Sequence, residues 1–262
     1  MRVFDFDHAI VREPGHSVVD GIRSDADAKP DFGRIRAEHT AYVAALRAAG
    51  LAVDVLPPLE TYPDSIFVED PALVLPEGAV LLRPGAVARR GESAELRDTL
   101  NRHFERVLEL KDEEYADGGD VLVTPNMIFI GLSRRTNLAG AQALQAKLEQ
   151  LGRKAKIAQT PEPILHFKTA VSLLSQDTML ATQQMADSGA FGGFDILVVP
   201  EGEEGAANAL RINDTVLAGD SYPRTIDLLD KAGFAVRALR VTEIAKLDAG
   251  LSCMSLRWMK QA

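Results

Sequence analysis

One unit recurs along this chain and restricts its fold: an amphipathic helix, a glycine, then a short strand. Residues 30–49 place Ile35, His39, Tyr42, Val43 and Leu46 on one helical stripe. Pro30 suits the first turn, Gly50 follows the end, and 51–56 alternates as a strand stopped by Pro57 and Pro58. Residues 137–151 repeat the pattern with Leu138, Ala141, Leu144, Leu148 and Leu151, followed by Gly152 and a strand over 154–158. Residues 222–232 repeat it again with Ile226 and Leu229, then Gly233 and a strand over 234–239. A weaker helix over 92–104 leads into 107–110. Short apolar runs surround each helix, at 65–68, 72–75, 80–82, 121–123, 127–130, 171–174, 178–181, 196–199 and 208–212. The spacing predicts ββαβ units, not the strict βα alternation of a doubly wound sheet. Such repetition, with no Pro- or Ser-rich linker, predicts an α/β chain of packed repeats forming one domain over 1–262.

Composition narrows the function. Lys and Arg number 29 against 38 Asp and Glu, a formal charge of -9, and no basic patch stands out for nucleic acid. No apolar run approaches the ~18 residues of a membrane span. No Gly-x-Gly-x-x-Gly follows a strand, which argues against a nucleotide cofactor. Cys253 is the one cysteine, so neither an intrachain disulfide nor a Cys-x-x-Cys zinc cage is available. The first residues do not read as a signal peptide. The expectation is a soluble cytoplasmic protein acting on a small molecule.

Several side chains are candidates for chemistry. Cys253 is either a small buried hydrophobe or a nucleophile, with Gly250 and Ser252 giving the backbone room to bend. Among the histidines, His39 and His103 fall within predicted helices and read as partly exposed, while His8 and His16 belong to the N-terminal strand and loop. His166, flanked by Leu165 and Phe167, is either a core imidazole or a general acid/base. Glu69 and Asp70 close the apolar run at 65–68, so a cation must meet them, from an arginine of the chain or from a ligand. Asp117-Gly118-Gly119-Asp120 reads as a hairpin turn or as a turn presenting its acids. Arg89-Arg90 and Arg134-Arg135 sit in loops before helices, where they solvate a surface or grip a carboxylate.

Taken together, Ser17-Val18-Val19-Asp20-Gly21, Phe67-Val68-Glu69-Asp70-Pro71, Arg83-Pro84-Gly85, Arg89-Arg90-Gly91-Glu92, Asp117-Gly118-Gly119-Asp120, Gly131-Leu132-Ser133-Arg134-Arg135-Thr136-Asn137, Leu165-His166-Phe167-Lys168-Thr169 and Leu251-Ser252-Cys253-Met254-Ser255-Leu256 resemble the dimethylarginine dimethylaminohydrolase family of the guanidino-group-modifying superfamily. The resemblance implies a five-bladed α/β propeller of ββαβ modules, the pentein fold. It implies hydrolysis of dimethylarginine and monomethylarginine to citrulline and an amine through a covalent thiouronium on Cys253. His166 matches the acid/base, and Asp117 the carboxylate that orients it and binds the guanidinium. Asp70 matches a second guanidinium carboxylate, Asp64 the partner of the α-amino group, and Arg89 with Arg135 the grip on the α-carboxylate. Phe67 matches an aromatic wall and Ile22 a mobile lid, with Glu69 as structural support. No cofactor or metal is implied, although Zn²⁺ taken by Cys253 and His166 would inhibit. A homodimer is implied. The nearest alternative is a deiminase of arginine or another guanidine on the same fold; further off lie a cysteine amidase and a non-catalytic module. No basic residue adjoins Cys253 in sequence, so the reading predicts that a bound cationic substrate helps to ionise the thiol.

Overall fold

Strands β1 (His8–Arg12) and β2 (Ala52–Leu56) flank the first crossover helix, α1 (Phe32–Ala48). The next three units follow one plan: β3 (Ala72–Leu75), β4 (Gly78–Leu81), α2 (Arg97–His103), β5 (Val107–Glu109); β6 (Val121–Val123), β7 (Ile128–Leu132), α3 (Leu138–Gln150), β8 (Ala155–Gln159); and β9 (Val171–Leu173), β10 (Thr178–Ala181), α4 (Gln183–Asp187), β11 (Asp195–Val198). The last unit is β12 (Leu210–Ile212), β13 (Thr215–Gly219), α5 (Pro223–Lys231), β14 (Ala235–Leu239), followed by α6 (Thr242–Ala245) and β15 (Leu256–Trp258). This computed structural model describes residues 2–260.

The strands form five three-stranded sheets, ordered β15-β1-β2, β3-β4-β5, β6-β7-β8, β9-β10-β11 and β12-β13-β14. In each, the middle strand runs antiparallel to one neighbour and parallel to the other, and the helix supplies the crossover that a parallel pair requires. The chain is a five-module α/β propeller. Its first module is closed by the last strand, with His8 opposite Trp258 and Ile10 opposite Leu256.

Local chemistry sets the helix bounds. Asp31 caps α1 by accepting from Arg34 N at 2.8 Å, and Asn137 caps α3 by accepting from Gly140 N at 2.7 Å. Gly50 and Gly152 follow at φ of 95° and 77°, left-handed positions where glycine carries no steric cost. Each helix packs an apolar face between neighbouring sheets, although Leu138, expected on the α3 stripe, is 54% exposed. Ile35, Tyr42 and Leu46 join Val11, Leu217 and Leu239, and Leu144 and Leu148 join Val80 and Ile130. Each fully buried side chain of this kind contributes about 1.5–3 kcal/mol.

Two further expectations change. Residues 65–68 are not a strand but a run of turns, in which Phe67 N donates to Asp64 O at 2.9 Å. Their apolar side chains are buried by neighbouring modules, so alternation misread a packed loop. His39 is 3% exposed, not partly open, because α1 is covered on that side as well; Glu38 on the same turn accepts from Glu243 N and Ile244 N at the start of α6.

The inner strands β3, β6, β9, β12 and β15 surround a central chamber of about 240 Å³. Glu69, Gly118, Lys168 and Ser252 contribute to its wall, and the turns that carry them also build the cavity described next.

Candidate active site

A tight turn precedes the inner strand of every module. These turns hold Asp64 to Asp70 before β3, Asp117 to Asp120 before β6, His166 to Thr169 before β9, Glu204 to Asn208 before β12 and Ser252 to Met254 before β15. Three of the five place side chains at one cavity. Cys253, His166, Asp64, Phe67, Asp70, Arg89, Arg135 and Ile22 all line it, together with Leu165, Leu247, Asp248 and Ala249. Asp117 does not line it and stands behind the imidazole.

Asp117 is fully buried. Its Oδ2 lies 2.9 Å from His166 Nε2, and its Oδ1 accepts from Gly85 N at 2.7 Å. Asp120, in the same turn, accepts from Ser133 Oγ, Thr136 Oγ1 and Phe167 N, tying the third module to the fourth. Gly118 and Gly119 are required by close approach. A Cβ on Gly118 would collide with Glu69 O, and one on Gly119 would lie 2.9 Å from the His166 ring and Asp70 Oδ1. The glycine at 119 lets its own N–H donate to Asp70 Oδ1 at 3.0 Å. The Asp-Gly-Gly-Asp sequence is thus a turn packed between modules, not a hairpin.

Burial alone would depress the His166 imidazole. The charge of Asp70, the hydrogen bond with Asp117 and the charges of Asp120 and Asp117 outweigh it and raise the group to about 9. Asp70 is also buried, but Arg89 and His166 hold its carboxyl down at about 2. Burial, then Glu69 and Asp70, push the Cys253 thiol up to about 12, against the opposing pull of the Gly250 N–H and Lys168. At neutral pH one cavity therefore presents an imidazolium and a protonated thiol.

Folding supplies the basic groups that sequence adjacency did not show. Glu69 is bridged by Lys168 at 2.7 Å and by Arg257 at 3.0 Å, and it accepts from Ser252 Oγ at 2.9 Å. This cluster separates the cavity from the central chamber and fixes the residue preceding Cys253. No sequence signal links these positions, which lie in three different modules.

The two arginines differ. Arg89 is 4% exposed; it pairs with Asp70 and Glu92 and donates to Phe67 O at 2.9 Å and Asp64 O at 3.3 Å. Nearly all its N–H groups are engaged within the chain. The Arg135 guanidinium makes no hydrogen bond or ion pair among the described residues and is free to meet a ligand. The Asp64 carboxylate accepts from Ile22 N at 3.0 Å, and Ser24 is tied to Asp248 through N and Oγ, so 22–24 closes over the site. The cavity beneath measures about 30 Å³, room for one or two waters.

Ligand atoms of Asp70, Asp117 and His166 lie within 4.8 Å of one another, as in a metal cluster. Here Asp70 pairs with Arg89 and accepts from Gly119 N, and Asp117 meets His166 Nε2, so the cluster is already knit together by the chain's own donors.

The family model for eukaryotic N,N dimethylarginine dimethylhydrolase matches residues 22–188. The N(G),N(G)-dimethylarginine dimethylaminohydrolase of Pseudomonas aeruginosa is 36% identical over 97% of this chain and 100% of its own, and that of Streptomyces coelicolor 34% identical over 95% and 96%. A solved structure of the Pseudomonas aeruginosa enzyme, a cysteine-to-serine mutant complexed with citrulline, superposes with a TM-score of 0.94 over 97% of this chain and 100% of its own. The N-terminal domain of the cyanobacterial arginine dihydrolase ArgZ, 21% identical over 97% of this chain and 98% of its own, shares the fold with a TM-score of 0.84. Whole-chain identity above a third, a superposition of the full length and a matching family model lead to one conclusion: this chain belongs to the dimethylarginine dimethylaminohydrolase family.

Proposed function

We propose that this chain hydrolyses Nω,Nω-dimethyl-L-arginine to L-citrulline and dimethylamine, and monomethylarginine to citrulline and methylamine, with Cys253 as nucleophile. The observation that carries the reading is a thiol and a carboxylate-backed imidazole opening on one cavity whose remaining polar wall is mostly anionic. That wall suits a flat cation, whereas an acyl-transfer site would direct donors at an oxyanion, which disfavours an amidase.

The guanidinium carbon is a weak electrophile because its charge is delocalised, so a thiolate is needed. Asp70 holds the cation in plane, and Arg135 meets the substrate α-carboxylate. Asp64 exchanges the Ile22 N–H for the α-ammonium, so that substrate entry and lid movement are linked at one carboxylate. The Cys253 thiol releases its proton to solvent as the cation binds, and its sulfur adds to the guanidinium carbon. His166 enters as imidazolium. With Nε2 held by Asp117, its Nδ1 donates the proton that lets dimethylamine leave as the C–N bond breaks. The product is an S-alkylthiouronium and a neutral imidazole. Nδ1 then takes a proton from water as the hydroxide adds to the same carbon; C–S cleavage returns the thiolate, and the added hydroxyl loses its proton to solvent as citrulline is released. Preorientation of this kind is worth several kcal/mol of barrier.

The family also implies a homodimer in the cytoplasm, built from one catalytic domain over 1–262, and we include these in the proposal. Turnover of asymmetric dimethylarginine, monomethylarginine and arginine, side by side with Cys253→Ser, tests it. Citrulline from the methylated substrates, none with the variant, is expected. Citrulline from arginine alone identifies a deiminase, and no citrulline from any of the three overturns the reading.

A further inference from the structure

Four modules supply a side chain to the reaction, and the turn of the fifth ends at Asn208, outside the cavity. Asn208 is 9% exposed, and its Oδ1 accepts from Ser252 N at 3.0 Å. It also lies against Gly250, where an added Cβ would come within 2.5 Å of Asn208 Cγ. Gly250 in turn donates its N–H to Cys253 Sγ at 3.4 Å, and Cys253 N donates to Gly250 O at 3.3 Å. Other contacts pin this turn further along: Ser252 Oγ on Glu69, Ser252 O on Arg257 and Cys253 O on Glu69 N. Of these, only Asn208 reaches the Gly250 end, where the backbone amide faces the sulfur.

We propose that Asn208 is a positioning residue for the nucleophile, holding the Gly250–Ser252 turn so that the Gly250 N–H points at the Cys253 sulfur and stabilises the thiolate as it forms. A hydrogen bond to a charged acceptor counts roughly double a neutral one. It matters here because Glu69 and Asp70 oppose the thiolate. On the other side stands Lys168, already shared with Glu69. The inference rests on Cys253 being the nucleophile of the proposed reaction.

The test follows the rate of Cys253 alkylation by iodoacetamide against pH, which needs no substrate turnover and so stands apart from the choice of substrate. Asn208→Ala is expected to move the alkylation midpoint up by about one unit, a tenfold loss of thiolate at a given pH. It is expected to lower kcat at least tenfold with KM within threefold, since Asn208 does not line the cavity. Gly250→Ala, which pushes against the Asn208 side chain, is expected to do the same. The double variant is expected to be no worse than the poorer single one, because both act on one contact. Asn208→Asp keeps size and acceptor oxygen and adds a negative charge; it is expected to retain the wild-type melting temperature within a few degrees while moving the midpoint upward. Should Asn208→Ala fail to fold, Gly250→Ala carries the test. An unshifted midpoint in the folded variants, additive effects in the double variant, or a rise in KM with kcat unchanged each overturns the proposal.

Discussion

A free thiol midpoint near 12 has a measurable consequence. At a pH of about 7.5, only about three sulfurs in 10⁵ would be ionised in the unliganded protein. A cation seated about 4 Å from the sulfur, at an effective dielectric of about 20, favours the thiolate by about 4 kcal/mol. That is about three units, which brings the midpoint to about 9 and raises the ionised fraction about a thousandfold. Asp70 and Asp64 would hold such a cation in the cavity that Cys253 lines. The assay is a pH titration of thiolate absorbance in the ultraviolet, with and without a saturating, unreactive cationic amidine, and with Cys253→Ser as the blank. The expected result is no thiolate step below a pH of about 10 without ligand and a step near 9 with it. A free-protein midpoint below about 8 would show that burial and the two acids do not control this sulfur. A midpoint that ignores the amidine would refute ionisation by the substrate's own charge.

The His166 imidazole, raised to about 9 from 6.5, stabilises the fold fully below a pH of about 6.5, and that stability is lost as pH climbs through about 9. Melting temperatures taken at about pH 6 and about pH 10 should therefore fall more for the wild type than for His166→Asn, by the equivalent of about 3 kcal/mol; parallel losses refute the assignment. The arginines separate by assay: Arg89→Ala strands Asp70 and Glu92 without their buried cation, an expected loss of about 3–5 kcal/mol in denaturant unfolding. Arg135→Ala should leave stability unchanged and raise KM about tenfold or more with kcat little altered, and the reverse pattern would assign the substrate carboxylate to Arg89.

The repeat was legible because helix caps and glycine stops are local. Asp31 with Gly50, and Asn137 with Gly152, set their helices without help from the rest of the molecule. Strand β13 escaped because Thr215–Gly219 mixes Thr, Ala and Gly with its apolar residues, and its burial comes from partners on either side in its sheet. Strand β15 escaped because three residues make a strand only when β1, at the other end of the chain, is there to receive them. In the site, motifs that carry reacting groups could be read from order and residue type. The supports could not. Lys168 and Arg257 on Glu69, and Asn208 on Ser252, are contacts between modules, and nothing in the local sequence of any partner announces the other.

The ring of modules also explains why so dispersed a set of residues meets at all. Asp64, Asp117, His166, Asn208 and Cys253 stand roughly fifty residues apart in sequence, yet each occupies the turn before an inner strand, so the repeat brings them together as a consequence of its own geometry. The outer helices vary in length from 5 to 17 residues without moving those turns, because the turns are braced by one another and not by the helices. The exception is the nucleophile. Its strand, β15, completes a sheet begun by β1, so the position of Cys253 depends on the two ends of the chain pairing. The thiol is therefore placed only when the ring closes, and until then neither the Glu69 cluster nor Asn208 has a turn to hold.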